Sequence, residues 1–225
     1  MTPRQLSFDL PVRPALGRED FFVSPANAEA VGMIEAWQAW PARKLILAGP
    51  PGSGKTHLAH VWAALSSARI ITATDLAEAN IPDLATAPVA IEDADRIAGN
   101  RTAEEALFHL HNLTLAEGHA LLFTAERPAN LWPVTLPDLM SRMQGTLLIQ
   151  LRAPDDALLA AVLTKLFADR QIAPSPDTIP YLTRRMDRSF AAAREVVTAL
   201  DSAALAEHRA ITRAFAAQVL DKLAQ

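Results

Sequence analysis

The sequence predicts an α/β fold: a parallel sheet covered by helices, with a small all-helical region behind it. Three observations carry that prediction. Up to about residue 153, short apolar runs alternate with longer segments of helical period, the pattern of parallel strands joined by crossover helices. A glycine-rich turn at Gly49 to Gly54 falls between the first such run and a helix. From Pro154 onward no strand-like run remains.

The elements follow in order. Residues 1–20 carry three prolines, mixed charge and no helical period, so they read as an extended tail, and the fold begins near Phe21. Over 27–40, Ala30, Val31, Ile34, Trp37 and Ala39 recur at roughly helical spacing until Pro41 stops the pattern. Residues 44–48 make a short buried strand. After the glycine turn, 56–65 reads as a helix, 69–72 as a second strand and 89–91 as a third. A helix over 102–117 leads into a strand over 120–124, and a strand over 146–151 follows a short helix around Leu139. Beyond it lie one helix to about Arg170 and helical segments over 178–186, 189–205 and 212–223, with the proline-rich break Pro174-Ser175-Pro176 marking a boundary of the helical lid. The expected division is a tail over 1–20, a nucleotide-binding α/β domain over 21–153 and a helical lid domain over 154–225.

Half of the 225 residues are apolar, enough to bury a sizeable core. With 21 basic against 25 acidic residues the net charge is −4, a field that repels a polyanion, so strong direct DNA binding is not expected. The chain has no cysteine, which removes disulfides, thiolate metal sites and cysteine nucleophiles. Its start lacks the apolar run of a signal peptide and no later stretch has the length of a membrane span, so a cytoplasmic protein is expected.

Gly49, Gly54, Lys55 and Thr56 meet the pattern G-x-x-x-x-G-K-[ST] in the strand-to-helix context that the pattern requires. Glycines let the backbone wrap so that successive N–H groups face phosphates at the positive end of the helix. Gly49, Gly52, Ser53, Gly54, Lys55, Thr56 and the adjoining His57 are therefore the candidate nucleotide-binding set, with Lys55 reaching the β- and γ-phosphates and the Thr56 hydroxyl on Mg²⁺. Such a site also needs acids at the end of a neighbouring strand, one for the metal and one to orient the attacking water. Glu92 and Asp93, after Val89-Ala90-Ile91, supply them, with Glu92 in the metal slot; a solvated acidic turn running to Asp95 is the alternative. Thr124, at the end of the next strand, sits where it either touches the γ-phosphate or water, or caps the local backbone. The six histidines show no metal-site spacing with acids.

At this point the residues resemble a known family. Gly54-Lys55-Thr56-His57-Leu58 after a Gly-Pro-Pro loop, Phe22-Val23-Ser24-Pro25-Ala26-Asn27 upstream, Thr124-Ala125-Glu126-Arg127-Pro128 and Leu136-Pro137-Asp138-Leu139-Met140-Ser141-Arg142 are similar to the AAA+ ATPase core of the bacterial replication initiator DnaA. The usual AAA+ strand ending is Asp then Glu; here Glu92 then Asp93 lengthens the arm in the metal slot and shortens it in the water slot, which puts brisk intrinsic hydrolysis in doubt. The tail segment Gln5-Leu6-Ser7-Phe8-Asp9-Leu10 resembles the short peptide by which partners dock on the bacterial sliding clamp. Gln5 would bond a pocket rim while Leu6, Phe8 and Leu10 fill an apolar cleft.

Acidic overall and lacking a basic helix-turn-helix region after the lid segments, the chain resembles the DnaA-related regulators of the Hda family. That resemblance implies ADP or ATP with Mg²⁺ as ligands. It implies DnaA and the DNA polymerase III β sliding clamp as partners, and stimulated hydrolysis of DnaA-bound ATP, with self-association left open. It places Phe22 and Val23 at the nucleotide base, Arg142 at the arginine finger that one subunit inserts into its neighbour's site, and Arg194 at the lid arginine, with Arg188 as its rival. The competing reading is a DnaC-like loader or other P-loop ATPase acting directly in DNA replication.

Overall fold

The computed structural model describes residues 23–223, so the expectations for Gln5, Leu6, Phe8, Leu10 and Phe22 lie outside the described residues. Helix α1 (Ala28–Glu35) is shorter than its apolar pattern. Trp37–Ala39 and Pro41–Arg43 are 3₁₀ turns, because Pro41 cannot continue a helix and Ala42 and Arg43 take positive φ. Strand β1 (Lys44–Ala48) is buried at every residue and leads through the glycine turn into α2 (Lys55–Ser66). Next come β2 (Arg69–Thr72), a 3₁₀ segment over Ala73–Glu78, the single-turn α3 (Ile81–Leu84) and β3 (Val89–Glu92). Helix α4 (Arg101–Ala116) is capped by Asn100, whose side chain accepts the Ala103 N–H, and runs to β4 (Leu121–Ala125). Helix α5 (Pro137–Gln144) precedes the edge strand β5 (Leu147–Gln150). Sequence pattern alone had left 73–84, 94–97 and 129–131 unassigned; these are short 3₁₀ or single-turn pieces without a full helical period.

The five strands lie in the order β2-β3-β4-β1-β5, all parallel. Each face of the sheet carries its own apolar cluster. On one, Leu45, Leu47, Ala90 and Leu122 pack against α1 and α2, with Trp62 fully buried and stacked on Trp40 at 5.3 Å between ring centroids. On the other, Ile46, Val89, Ile91 and Phe123 pack against Leu107 and Leu110 of α4 and Leu139 and Met143 of α5. Full burial of each such side chain contributes about 1.5–3 kcal/mol.

A third cluster lies within α6 (Asp156–Asp169), α7 (Thr178–Arg185), α8 (Phe190–Glu207) and α9 (Arg213–Leu223). Leu159, Leu163 and Phe167 of α6 belong to that cluster, so the Pro174-Ser175-Pro176 break falls inside the helical unit and does not bound it.

Candidate functional site

Register fixes what meets at the carboxyl end of the sheet. Leu47 of β1 pairs with Thr124 of β4 and with Ile149 of β5, and Thr72 of β2 pairs with Glu92 of β3. Continuing the β3–β4 register from Ile91↔Phe123 sets Glu92 beside Thr124. Because side chains alternate along a strand, Glu92 and Thr124 share the face of Leu47 and Ala90, which is the face that α2 covers. The acidic strand end, the polar strand end and the start of α2 are thus brought together.

The turn that begins α2 is shaped by its glycines. A Cβ on Gly49 would lie 2.7 Å from the Leu151 carbonyl oxygen and 2.9 Å from Ser53 Oγ. Gly52 has φ +71°, and a Cβ there would come within 2.7 Å of Ser189 Cβ. Lys55 folds back over the turn, its Nζ donating to the Gly49 oxygen at 2.6 Å and the Pro50 oxygen at 3.0 Å. Burial lowers the Lys55 pKa, while Asp93, Glu126 and Asp95 pull it back up. The first N–H groups of α2 have no acceptor inside the helix, and the Thr56 side chain is exposed beside them. His57 is buried on the α2 face.

The acids divide. Glu92 holds a buried Oε1 with no hydrogen-bond partner, and Ser53 Oγ is likewise buried and unpartnered. A carboxylate oxygen left bare beside a threonine hydroxyl is a donor set that suits a hard cation keeping most of its waters. Asp93, in the left-handed region at φ 55°, donates its N–H to Thr124 Oγ1 at 3.0 Å. Its carboxylate meets Arg96 at 3.4 Å. Thr124 therefore serves the local backbone through its oxygen and keeps its own O–H to give. Sequence reading gives no site role to Asp95, Arg96 or Glu126: Asp95 Oδ2 accepts the Glu126 N–H at 3.1 Å, and Arg96 reaches Glu126 at 3.8 Å. The only sequence signal was charge density in two loops that register later joins. Among the described residues no cluster of three or more His, Asp or Glu forms a metal site by itself.

The lid meets this end directly. Phe190, the first residue of α8, donates its N–H to the Gly52 oxygen at 2.9 Å, and Ser189 caps the helix by accepting the Ala192 N–H. A Cβ on Gly52 would also lie 3.3 Å from the Ala191 backbone N, and Arg194 stands three residues on, along the same face of α8. Arg194 is exposed; Arg188 is held in an ion pair with Asp156 at 2.7 Å. Val23 is 50% exposed at the start of the described chain. A cleft of about 370 Å³ lined by Ile46, Met143, Thr146 and Leu148 lies on the α5 face of the sheet and includes none of these residues.

Arg142 is at the other end. Its carbonyl accepts the Nζ of Lys44 at 3.1 Å, and Lys44 opens β1, whose far end carries the glycine turn. Four steps along the strand separate Lys44 from Ala48, about 13 Å at the usual rise per residue, so this guanidinium does not serve its own phosphate turn. Its side chain lies over the Phe108 ring, 5.4 Å from the centroid.

Comparison with known proteins is consistent with this layout. No family model matches the chain. It is 25% identical to the chromosomal replication initiator protein DnaA of Thermomicrobium roseum across an alignment of 232 positions, which covers 93% of this chain and 50% of that protein. Its fold matches domain III of the Thermotoga maritima replication initiation protein DnaA with a TM-score of 0.79 at 18% identity, covering 95% of this chain and 98% of that one. It also matches an AMPPCP-bound DnaA from Aquifex aeolicus with a TM-score of 0.70 at 16% identity, covering 81% of this chain and 64% of that one. The chain spans about half the length of the curated DnaA relatives it matches. It is thus homologous, at modest identity over most of its length, to the ATPase domain of DnaA, and its sheet and helical C-terminal region have the AAA+ arrangement. Among the described residues no helix is long and apolar enough to cross a membrane.

Proposed function

We propose that this chain is an adenine-nucleotide-binding AAA+ adaptor of the Hda type, which docks on the DNA-loaded sliding clamp and stimulates hydrolysis of ATP held by DnaA, so limiting re-initiation of replication. The observation that carries the reading is the separation of its two cationic groups: Lys55 lies in the phosphate turn, whereas Arg142 is exposed at the opposite end of the sheet. A guanidinium turned away from its own nucleotide is free to act on a neighbour's. The homology to DnaA supports a second copy of the same fold as the neighbour that receives it.

In this reading ADP or ATP lies along the glycine turn, with its phosphates toward the N–H groups of α2 and the ammonium of Lys55. Thr56 and Glu92 hold Mg²⁺, which would neutralise phosphate charge. Asp93 and Thr124 form the water-side edge. Phe22 and Val23 border the base, and Arg194 reaches in from the lid. Gln5, Leu6, Phe8 and Leu10 tether the chain to the clamp. Arg142 stabilises charge that develops on the γ-phosphate of DnaA-bound ATP, a role worth about 10³ to 10⁵ in rate.

The test is hydrolysis of DnaA-bound ATP with clamp-loaded DNA, with and without this protein. Parent protein should accelerate it, Arg142→Ala should lose most of the acceleration while still binding clamp, and Arg142→Lys should rescue poorly because an ammonium lacks the planar fork. Equal stimulation by Arg142→Ala and parent would remove the finger role and with it this proposal.

A further inference from the structure

Arg142 does not project from its helix unsupported. One stripe of α4, Glu104, Phe108 and His111, is spaced by four and then three residues and so lies along a single face. Each of the three meets a different part of the segment that carries Arg142. Glu104, 0% exposed, accepts the N–H groups of Thr135 and Leu136 at 2.8 to 3.0 Å and the Thr135 hydroxyl at 2.8 Å, which ties down the entry to α5. The same carboxylate accepts the Gly99 N–H at 2.7 Å. Phe108 lies under the Arg142 guanidinium. His111 Nε2 is 3.4 Å from Lys44 Nζ, and Lys44 in turn donates to the Arg142 carbonyl, which also accepts the Thr146 hydroxyl at 2.8 Å.

Charges in this arrangement are placed against ordinary preference. Lys44 is 7% exposed, yet its partners are an imidazole and a carbonyl, not a carboxylate. Arg142 makes no ion pair among the described residues although acids are common on the surface. A cation that only filled space here would be replaced by an apolar residue at a gain, since burying an ammonium without a counter-ion is unfavourable. A cation that caps the last turn of α5 and raises the local positive potential serves a different end. It fixes the backbone of Arg142 and favours an anion at the guanidinium.

We propose that Lys44 and the Glu104–Phe108–His111 stripe of α4 form a preformed seat for Arg142, with Phe108 and Lys44 as positioning residues that hold the guanidinium ready for the phosphates of a nucleotide bound to a second protein molecule. The inference rests on the trans role given to Arg142 above and adds how that role is prepared. The ring supplies a flat, electron-rich support that restricts the side chain without pairing its charge. The lysine locks the main chain from which the side chain springs. Misplacement of a reacting group by about 1 Å costs up to about 10² in rate, so loosening either support should be visible.

The experiment uses full-length protein in the clamp-dependent DnaA-ATP assay. Phe108→Leu should lower stimulation about 10-fold or more, with nucleotide affinity and thermal midpoint close to the parent. Phe108→Tyr, which keeps the ring, should retain parental stimulation, and Lys44→Met should fall with Phe108→Leu. A partner-independent reading comes from NMR of the Arg142 guanidinium: its Nε–H should carry a ring-current shift in parent and Phe108→Tyr that is absent in Phe108→Leu. Parental stimulation by Phe108→Leu, or an equal fall in Phe108→Tyr, would overturn the positioning role, and absence of the ring-current shift in the parent would overturn the seat. If Arg142→Ala itself stimulates like the parent, the proposed function fails, whereas the NMR reading still decides whether the seat exists.

Discussion

Around the glycine turn polar atoms are left without partners, while along the contact of α4 with the α5 segment Glu104, Lys44 and His111 are each bonded within the fold. Glu92 Oε1 and Ser53 Oγ are buried and bare, and Lys55 bonds only to the carbonyls of its own turn. Along the α4–α5 contact Glu104 accepts from three residues, and Lys44 bridges a helix carbonyl and His111. Unmet polar groups are costly in a folded chain unless something arrives to meet them. On the function proposed above, the first region receives a ligand and the second holds a side chain out for a partner.

The largest effect that sharpens this contrast is on Lys55. Charge-assisted hydrogen bonds are each worth about 1.5–3 kcal/mol, so Lys55→Ala should weaken ADP binding by about 10² or more in titration with a fluorescent analogue. Folding should be untouched, because Lys55 spans no elements: among the described residues both of its hydrogen-bond acceptors lie within six residues. Parental affinity would leave the carboxyl end with no ligand to explain its bare atoms.

Along the α4–α5 contact the same kind of deletion should do the reverse. Burial alone would raise the Glu104 carboxyl, but hydrogen bonds from Thr135, Gly99 and Leu136 outweigh it and hold it below the ordinary carboxylate range. Glu104→Ala strands three backbone N–H groups, each costing about 1–3 kcal/mol when unsatisfied. Urea unfolding should show a loss of about 4 kcal/mol, with ADP affinity nearly unchanged. A loss below about 1 kcal/mol would mean that the loop before α5 is held by something else.

The two regions were not equally legible in the sequence. The glycine turn, Lys55, Thr56 and the Glu92-Asp93 strand end could be read because their chemistry is local: a turn, a helix start and a strand end, each within a few residues. Strand positions were readable for the same reason, since β1 and β2 are short apolar runs bounded by turn residues. The α4–α5 contact was not readable. Lys44 and Arg142 are 98 residues apart, and Glu104 meets Thr135 across 31, so their pairing depends on strand order and on how α5 packs on α4. Sequence pattern marks Lys44 only as the start of a buried strand and gives Glu104 and His111 no role, yet all three are buried.

Acid titration separates the two regions by a smaller amount. Burial pushes the His111 imidazole down to about 4, helped by the charges of Lys44 and Arg142 and opposed by its hydrogen bond with Asn112. An unfolded histidine titrates near 6.5. The unfolded chain therefore takes up the proton first, so stability is fully present above about pH 6.5, falls as pH drops, and finishes falling near pH 4, by on the order of 3 kcal/mol at most. Glu104 adds its own loss only below about pH 4, because its carboxyl is held under the usual range. His111→Gln should flatten the upper window in urea unfolding between pH 6.5 and 4 and leave the lower one. An unchanged slope would move the acid sensitivity away from the α4–α5 contact.

The smallest expected effects fall on the lid, and they decide which of its arginines belongs to the carboxyl end. Arg188 precedes the Ser189 cap and is paired with Asp156, both side chains more than half exposed, so the pair is worth at most about 1 kcal/mol. Arg188→Ala should shift stability within that limit and leave nucleotide affinity alone. Among the described residues Arg194 forms no ion pair or side-chain hydrogen bond, but it stands one turn along α8 from Ala191, whose backbone N lies close to the phosphate turn at Gly52. A guanidinium there reaches toward the negative charge that the turn gathers, and one charge-assisted contact partly open to water corresponds to about a 10-fold change in affinity. Arg194→Ala should therefore weaken ATP-analogue binding about 10-fold with no loss of stability, and the effect should shrink as salt is raised. If Arg188→Ala carries the affinity loss instead, the ion pair with Asp156 must open on nucleotide binding. The lid would then contribute to the ligand end by rearranging rather than by standing ready.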